Sequence, residues 1–253
     1  SPSPSLSLAS PSPSPSPSRV PAPPLARPTP SKPPSPAHTG ASPAPSPTGG
    51  SSVPATIAVP AAGSYTYALS GSYQTPLAPA AQPYPAGASL STVFTISGTQ
   101  VTAKVSSPQD NASSSTTWTY GPSAVAITDS TLTYAGLANY DCSYTPPPTA
   151  LPNPLKVGSL PTASWSSANC SGDVTVGVVD NETVSAAGQT WNVWKVQTTL
   201  HYQAESSVNV TATSTVLFSA TAGVPITSDT MTTGTVAGQP FSDHQVATLT
   251  SLP

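Results

Sequence analysis

Charge is scarce in this chain. Of 253 residues, six are Lys or Arg, nine are Asp or Glu, and three are His. Arg19, Arg27 and Lys32 all lie in the first fifty residues, which hold no carboxylate. Beyond them, Lys104, Lys156 and Lys195 stand against all nine carboxylates, which leaves that part with a formal charge of −6. Such a surface has no basic stripe to neutralise phosphates, and this excludes nucleic acid as a partner. No run approaches the ~20 apolar residues that a membrane-spanning helix needs. No window repeats apolar residues at i, i+3, i+4 and i+7 over two turns, so no helix is expected.

The familiar enzyme signatures are missing too. There is no G-x-S-x-G elbow, no H-E-x-x-H, no C-x-x-C and no phosphate-binding glycine loop. Serine is so abundant that a serine near a histidine carries little information, and His201 and His244 read as surface residues. No metal-ligand spacing is present, so neither a metal nor a cofactor is expected. The chain is expected to be non-catalytic. Only two cysteines occur, Cys142 and Cys170. In a low-charge chain with a Ser-Pro stalk they are expected to form a disulfide outside the cytosol, in an extracellular or cell-envelope setting. The rival readings are two free core thiols or a two-ligand metal site.

What is abundant is proline, serine and threonine. Residues 1–50 carry 17 of the 34 prolines, in runs such as PSPSPSPS, and no Tyr, Trp, Phe or Cys. Without large apolar side chains this part cannot bury enough surface to offset chain entropy. It reads as a disordered Ser/Pro-rich stalk with polyproline II character, and with its transition segment it extends over 1–62. An export or anchoring element is expected upstream of such a stalk. Residues 63–253 then suit one domain. The transition segment 51–63 has the short extended piece Val53, Ile57 and Val59 between prolines, suited to pairing with a sheet edge, including that of a second copy.

From Ser64 on, short runs rich in Thr, Val and aromatics alternate polar with apolar and are punctuated by turn residues. In SYTYALSGSYQ, Tyr65, Tyr67 and Leu69 share a face. Ser97-Gly98 and Ala187-Gly188 read as hairpin turns. In the longest alternating stretch, 173–220, Val174, Val176, Val178 and Val184 share parity, as do Trp194, Val196, Leu200 and Tyr202 on the return strand. The proline-rich loop 145–162 lies between the cysteines and reads as a packed cover over one end of a sheet or as a binding loop. The expected fold is all-β: an antiparallel meander of about ten strands forming a curved half-barrel or open barrel, with a β-sandwich as the alternative.

Residues 180–226 carry a pattern of Glu182, Val184, a turn at Gly188, a Val193/Val196 strand, Leu217-Phe218 and the turn Ala222-Gly223-Val224-Pro225. In this the chain resembles uncharacterised secreted or envelope-anchored actinobacterial β-rich proteins. More distantly it is similar to the half-barrel sheets of lipoprotein-carrier-like domains. The resemblance implies an extracytoplasmic half-barrel and carries over no catalytic residue. Carrier-like domains pack a helix in the concave face, and here no helix is evident.

One lapse in parity stands out. An unbroken strand over 174–185 would place Asp180 and Glu182 on the valine face, where unpaired carboxylates are costly to bury. A bulge near Gly177–Asn181, a tight turn at Asp180-Asn181, or a wet concavity would each resolve it. In the last case both carboxylates are ligand-facing. Trp191, off the apolar parity, and Trp194, on it, complete the candidate ligand-binding set of Asp180, Glu182, Trp191 and Trp194. The expected function is a binding module holding an apolar or amphiphilic ligand between the concave face and the proline loop. The alternative is a structural cell-surface or assembly protein that adds segment 51–63 to a neighbouring protein's sheet.

Overall fold

The structure, a computed structural model, describes residues 53–75, 78–107, 112–134, 138–204 and 207–253. The Ser/Pro-rich stalk lies outside the described residues. Seven strands come first: β1 (Gly63–Thr75), β2 (Ala78–Pro83), β3 (Ser89–Ser97), β4 (Gln100–Ser107), β5 (Ala112–Tyr120), β6 (Ala124–Tyr134) and β7 (Ala138–Ser143). The proline-rich segment contributes the short β8 (Thr149–Pro152), β9 (Gly158–Ser159) and β10 (Ala163–Ser166). Five long strands finish the domain: β11 (Cys170–Ala186), β12 (Gln189–Ala204), β13 (Val208–Ser219), β14 (Val224–Val236) and β15 (Gln239–Ser251). No described residue is helical.

All strands belong to one antiparallel sheet with the path β10-β11-β12-β13-β14-β15-β1-β3-β4-β5-β6-β7. The expected all-β half-barrel is therefore correct, and a single curled sheet replaces the alternative of two packed sheets. Twelve strands lie along the path where about ten were expected, and β2, β8 and β9 pair at its margins. The last strand, β15, pairs with the first, β1, so the two halves of the meander join in the middle of the path. Predicted turns sit where the φ > 0 chemistry demands. Ala187 and Gly188 have φ of 50° and 73°, as a two-residue hairpin turn with right-handed strand twist requires. Ala237 and Gly238 repeat the device between β14 and β15 at 52° and 71°.

Alternation places the core. Tyr65, Tyr67 and Leu69 of β1 are buried, while Ser64, Ala68 and Ser70 between them are exposed. Gly71, at φ 120°, lies where β1 changes partner from β3 to β2, and a side chain there would collide with the His244 carbonyl. Two apolar clusters result. One spans the interior, from Val125 of β6 to Val174, Val176 and Val178 of β11 and Val196 of β12. The other gathers Tyr65, Phe94, Val101, Ile226 and Leu249 with the tip of the β11–β12 hairpin, including Val193. The segment 53–62 is taken into this unit rather than left as stalk. Ile57 is buried and its backbone N–H donates to Asn153 Oδ1 at 3.0 Å, while the Ala58 N–H donates to the Ala220 carbonyl at 2.8 Å.

The sheet path is open, and its two ends are joined by other means. Cys142 in β7, the last strand, is disulfide-bonded to Cys170 at the start of β11, with Cα atoms 5.7 Å apart. Beside the bridge, Tyr144 and Trp165 meet edge to face with centroids 5.0 Å apart, and the Ser166 N–H donates to the Thr145 carbonyl at 3.2 Å. Trp165 lies across from Gly172 and covers it; a Cβ at Gly172 would come within 2.5 Å of the indole. The proline-rich segment is thus a packed cover as well as a connection. Leu155 is buried beneath it, and its N–H donates to the Ala55 carbonyl at 2.8 Å.

Cross-linking over a separation of 28 residues removes unfolded-state entropy worth roughly 3 to 4 kcal/mol. Replacing both Cys142 and Cys170 by Ser is expected to lower the unfolding free energy by about that amount, read from urea melts. A midpoint unchanged from wild type would show that the Tyr144–Trp165 contact and its neighbours hold the seam alone.

Candidate ligand cavity

The inner face of the curl is paved unevenly. Large side chains, Tyr65, Phe94, Trp118, Tyr120 and Phe218, crowd one end, whereas Ala103, Thr198, Ser228 and Ala247 leave room beside them. Small residues on a strongly curved sheet cannot meet across its interior, so space remains. Two neighbouring cavities occupy it. The larger, of about 410 Å³, is lined by β1, β3, β4 and β5 on one side and by Val196, Thr198, Val216 and Phe218 on the other, with Ala150 and Leu151 of β8 closing over it. The smaller, of about 290 Å³, shares the wall formed by Leu90 and Val105 and runs on between Tyr73, Tyr202, Val210 and Phe241. Both walls are predominantly apolar, and the volumes fall within the range of small-molecule sites.

Hydroxyl side chains are scattered over both walls, and a carboxylate and an amide enter at one place. Asp243 and Gln245 of β15 line the smaller cavity. The buried Tyr84 hydroxyl donates to Asp243 Oδ1 at 2.8 Å, and Gln245 Nε2 donates to Asp243 Oδ2 at 2.6 Å and to the Tyr84 oxygen at 3.1 Å. Tyr73 packs on Tyr84 with ring centroids 5.1 Å apart. Among the described residues lining the two cavities, Asp243 is the sole charged side chain.

The residues proposed from sequence alone fall elsewhere. The β11–β12 register shifts between Val178 and Asp180, so a bulge at Val179 resolves the lapse in parity. Asp180 then pairs with Lys195 and Glu182 with Val193, and both carboxylates are exposed. The Asn181 N–H donates to Asp180 Oδ1 at 2.7 Å, which supports the bend. Neither carboxylate lines the two cavities, and of the three resolutions of the parity lapse the structure has the bulge. Trp191 is half-buried at the hairpin tip, its indole N–H bonded to the Ala186 carbonyl at 3.0 Å. Trp194 is buried beside Phe218, and its indole N–H donates to the Pro54 carbonyl at 2.8 Å, anchoring the N-terminal segment. It supports the cavity floor without lining it. His201 is exposed with Nδ1 at 2.9 Å from Thr211 Oγ1, and His244 pairs with Asp229 at 3.0 Å on the outer surface.

No family model, curated protein or solved structure matches the chain. The site therefore has to be read from its own geometry. Strand parity carries a signal for its charged residue. On β15, Phe241, Asp243, Gln245, Ala247 and Leu249 share one parity, and the buried Ala247 and Leu249 mark that parity as inward. An acidic residue on that face had to look into the curl.

The cavity tyrosines report on the dryness of the interior. Burial pushes the Tyr120 hydroxyl up to about 12 and Tyr67 higher still, because the phenolate loses its hydration there. For a group whose folded value is raised, the stability it contributes is complete below the unfolded value, near 10 for Tyr, and is lost as pH rises through the folded value. Unfolding free energy is thus expected to hold level up to about pH 10 and to fall toward pH 12. Tyr120→Phe is expected to flatten that alkaline decline, and an identical decline in the variant would place the hydroxyl in water.

Proposed function

We propose that this chain is a non-catalytic, extracytoplasmic binding module on a Ser/Pro stalk that holds an apolar or amphiphilic ligand inside its curled sheet. The observation that carries the reading is the apolar cavity of about 410 Å³ roofed by Ala150 and Leu151. An interior filled for stability alone would close such a space, since each void forfeits contacts. The disulfide favours an oxidising compartment. A paired-carboxylate mechanism needs two acidic groups facing one space, and the cavity walls present one, Asp243. The alternative of a strand-donating assembly protein has less support, because residues 53–62 already satisfy their hydrogen bonds within their own domain through Trp194, Asn153 and Ala220.

Titration of the full chain with a homologous series of straight-chain alcohols checks the reading. Each added methylene is expected to tighten binding roughly fourfold, the equivalent of about 0.8 kcal/mol, until the cavity is full. Ala247→Phe, which projects a ring into the larger cavity, is expected to weaken binding by at least about tenfold while the domain stays folded. Affinity independent of chain length, or unaffected by filling the cavity, would leave the module without this ligand.

A further inference from the structure

We propose that the Asp243 end of the smaller cavity recognises a cationic head, so that the ligand is an amphiphile carrying an ammonium group. The inference rests on the binding-module reading and adds an orientation to it. Asp243 stands on the inward face of β15, directly across from Tyr73 on β1 and from Thr232 on β14. Tyr73 and Phe241 line the same cavity, so one space holds a carboxylate and two aromatic side chains. That is the chemistry that holds an alkylammonium: a full negative charge beside π-faces that attract cations. A fatty carboxylate would meet repulsion at the same point, and a neutral alcohol would gain one hydrogen bond without the charge.

The carboxylate is held in place before any ligand arrives. Tyr84 donates to one oxygen and Gln245 to the other, which fixes its plane. Within the same cavity Leu90, Val105, Val208, Val210 and Val236 give the tail an apolar wall, and Leu90 and Val105 also line the larger cavity beside it. Head and tail thus meet surfaces of opposite character.

The test compares three probes of equal chain length against the full chain, below their micelle-forming concentrations: decyltrimethylammonium, decanol and decanoate. The ammonium is expected to bind at least about tenfold tighter than the alcohol, with decanoate weakest. Asp243→Asn is expected to bring the ammonium and alcohol affinities together, and Tyr73→Leu to narrow the gap about threefold. Alcohol binding with no ammonium preference in the wild-type chain would overturn the head-group assignment and leave the cavity reading standing, whether or not Asp243→Asn folds. A preference that survives in a folded Asp243→Asn variant would also overturn the assignment. Binding of none of the three would remove both.

Discussion

The structure depends on closing a sheet that its own hydrogen bonds leave open. A twelve-strand meander with both end strands unpaired to each other would splay, since twist alone does not bring β7 back to β11. The Cys142–Cys170 bridge fastens those two strands, and Tyr144 against Trp165 fills the adjoining space with aromatic surface. Because the join is a cross-link and not a ladder, the curl keeps its width. Continuous pairing would have tied strand number, tilt and stagger together and drawn the interior to a set diameter. The proline-rich stretch between the cysteines serves the same end, since its residues lie over the join and the cavity at once.

Width alone would not leave a hollow. The inner face must also lack the bulk to fill it, and here the composition decides. Ala103, Ala247, Ser228 and Thr198 sit where Leu or Phe would bridge the interior. Large aromatics such as Phe94, Trp118 and Phe218 line the larger cavity beside these small residues, so bulk and space alternate on one wall. Burial in the same arrangement raises the Tyr67 and Tyr120 hydroxyls, because a phenolate there loses hydration.

Much of this was legible in the sequence because period-two alternation reports directly on which face is buried. Tyr65, Tyr67 and Leu69, or Val174, Val176 and Val178, declare the inner face without a coordinate. The hairpin at Ala187-Gly188 was legible through its turn chemistry, and the disulfide through scarcity, since two cysteines have one possible pairing. The sheet order was not legible. Pairing of β15 with β1 joins residues nearly two hundred apart, and no local signal encodes it. The site was misplaced for a related reason. Asp180 and Glu182 were conspicuous as exceptions to a pattern, but a single bulge at Val179 turns such exceptions outward at little cost. The inward setting of Asp243 was harder to read, because its strand is sparse in valine and its parity rests on Ala247 and Leu249 alone.

That contrast separates two kinds of polar residue on an apolar face. Where a strand can bulge, a carboxylate escapes to water and the fold loses little, as on β11. On β15 no register shift intervenes between Asp243 and Ala247: the pairs Tyr73–Asp243, Gly71–Gln245 and Leu69–Ala247 run without a break. Asp243 therefore stays inward and needs Tyr84 and Gln245 to hold its charge. An apolar residue of similar volume would cost less there than a half-buried carboxylate with its two attendants. Packing gives no reason for the acid, whereas its oriented geometry on an apolar cavity wall is what the proposed cationic head would require.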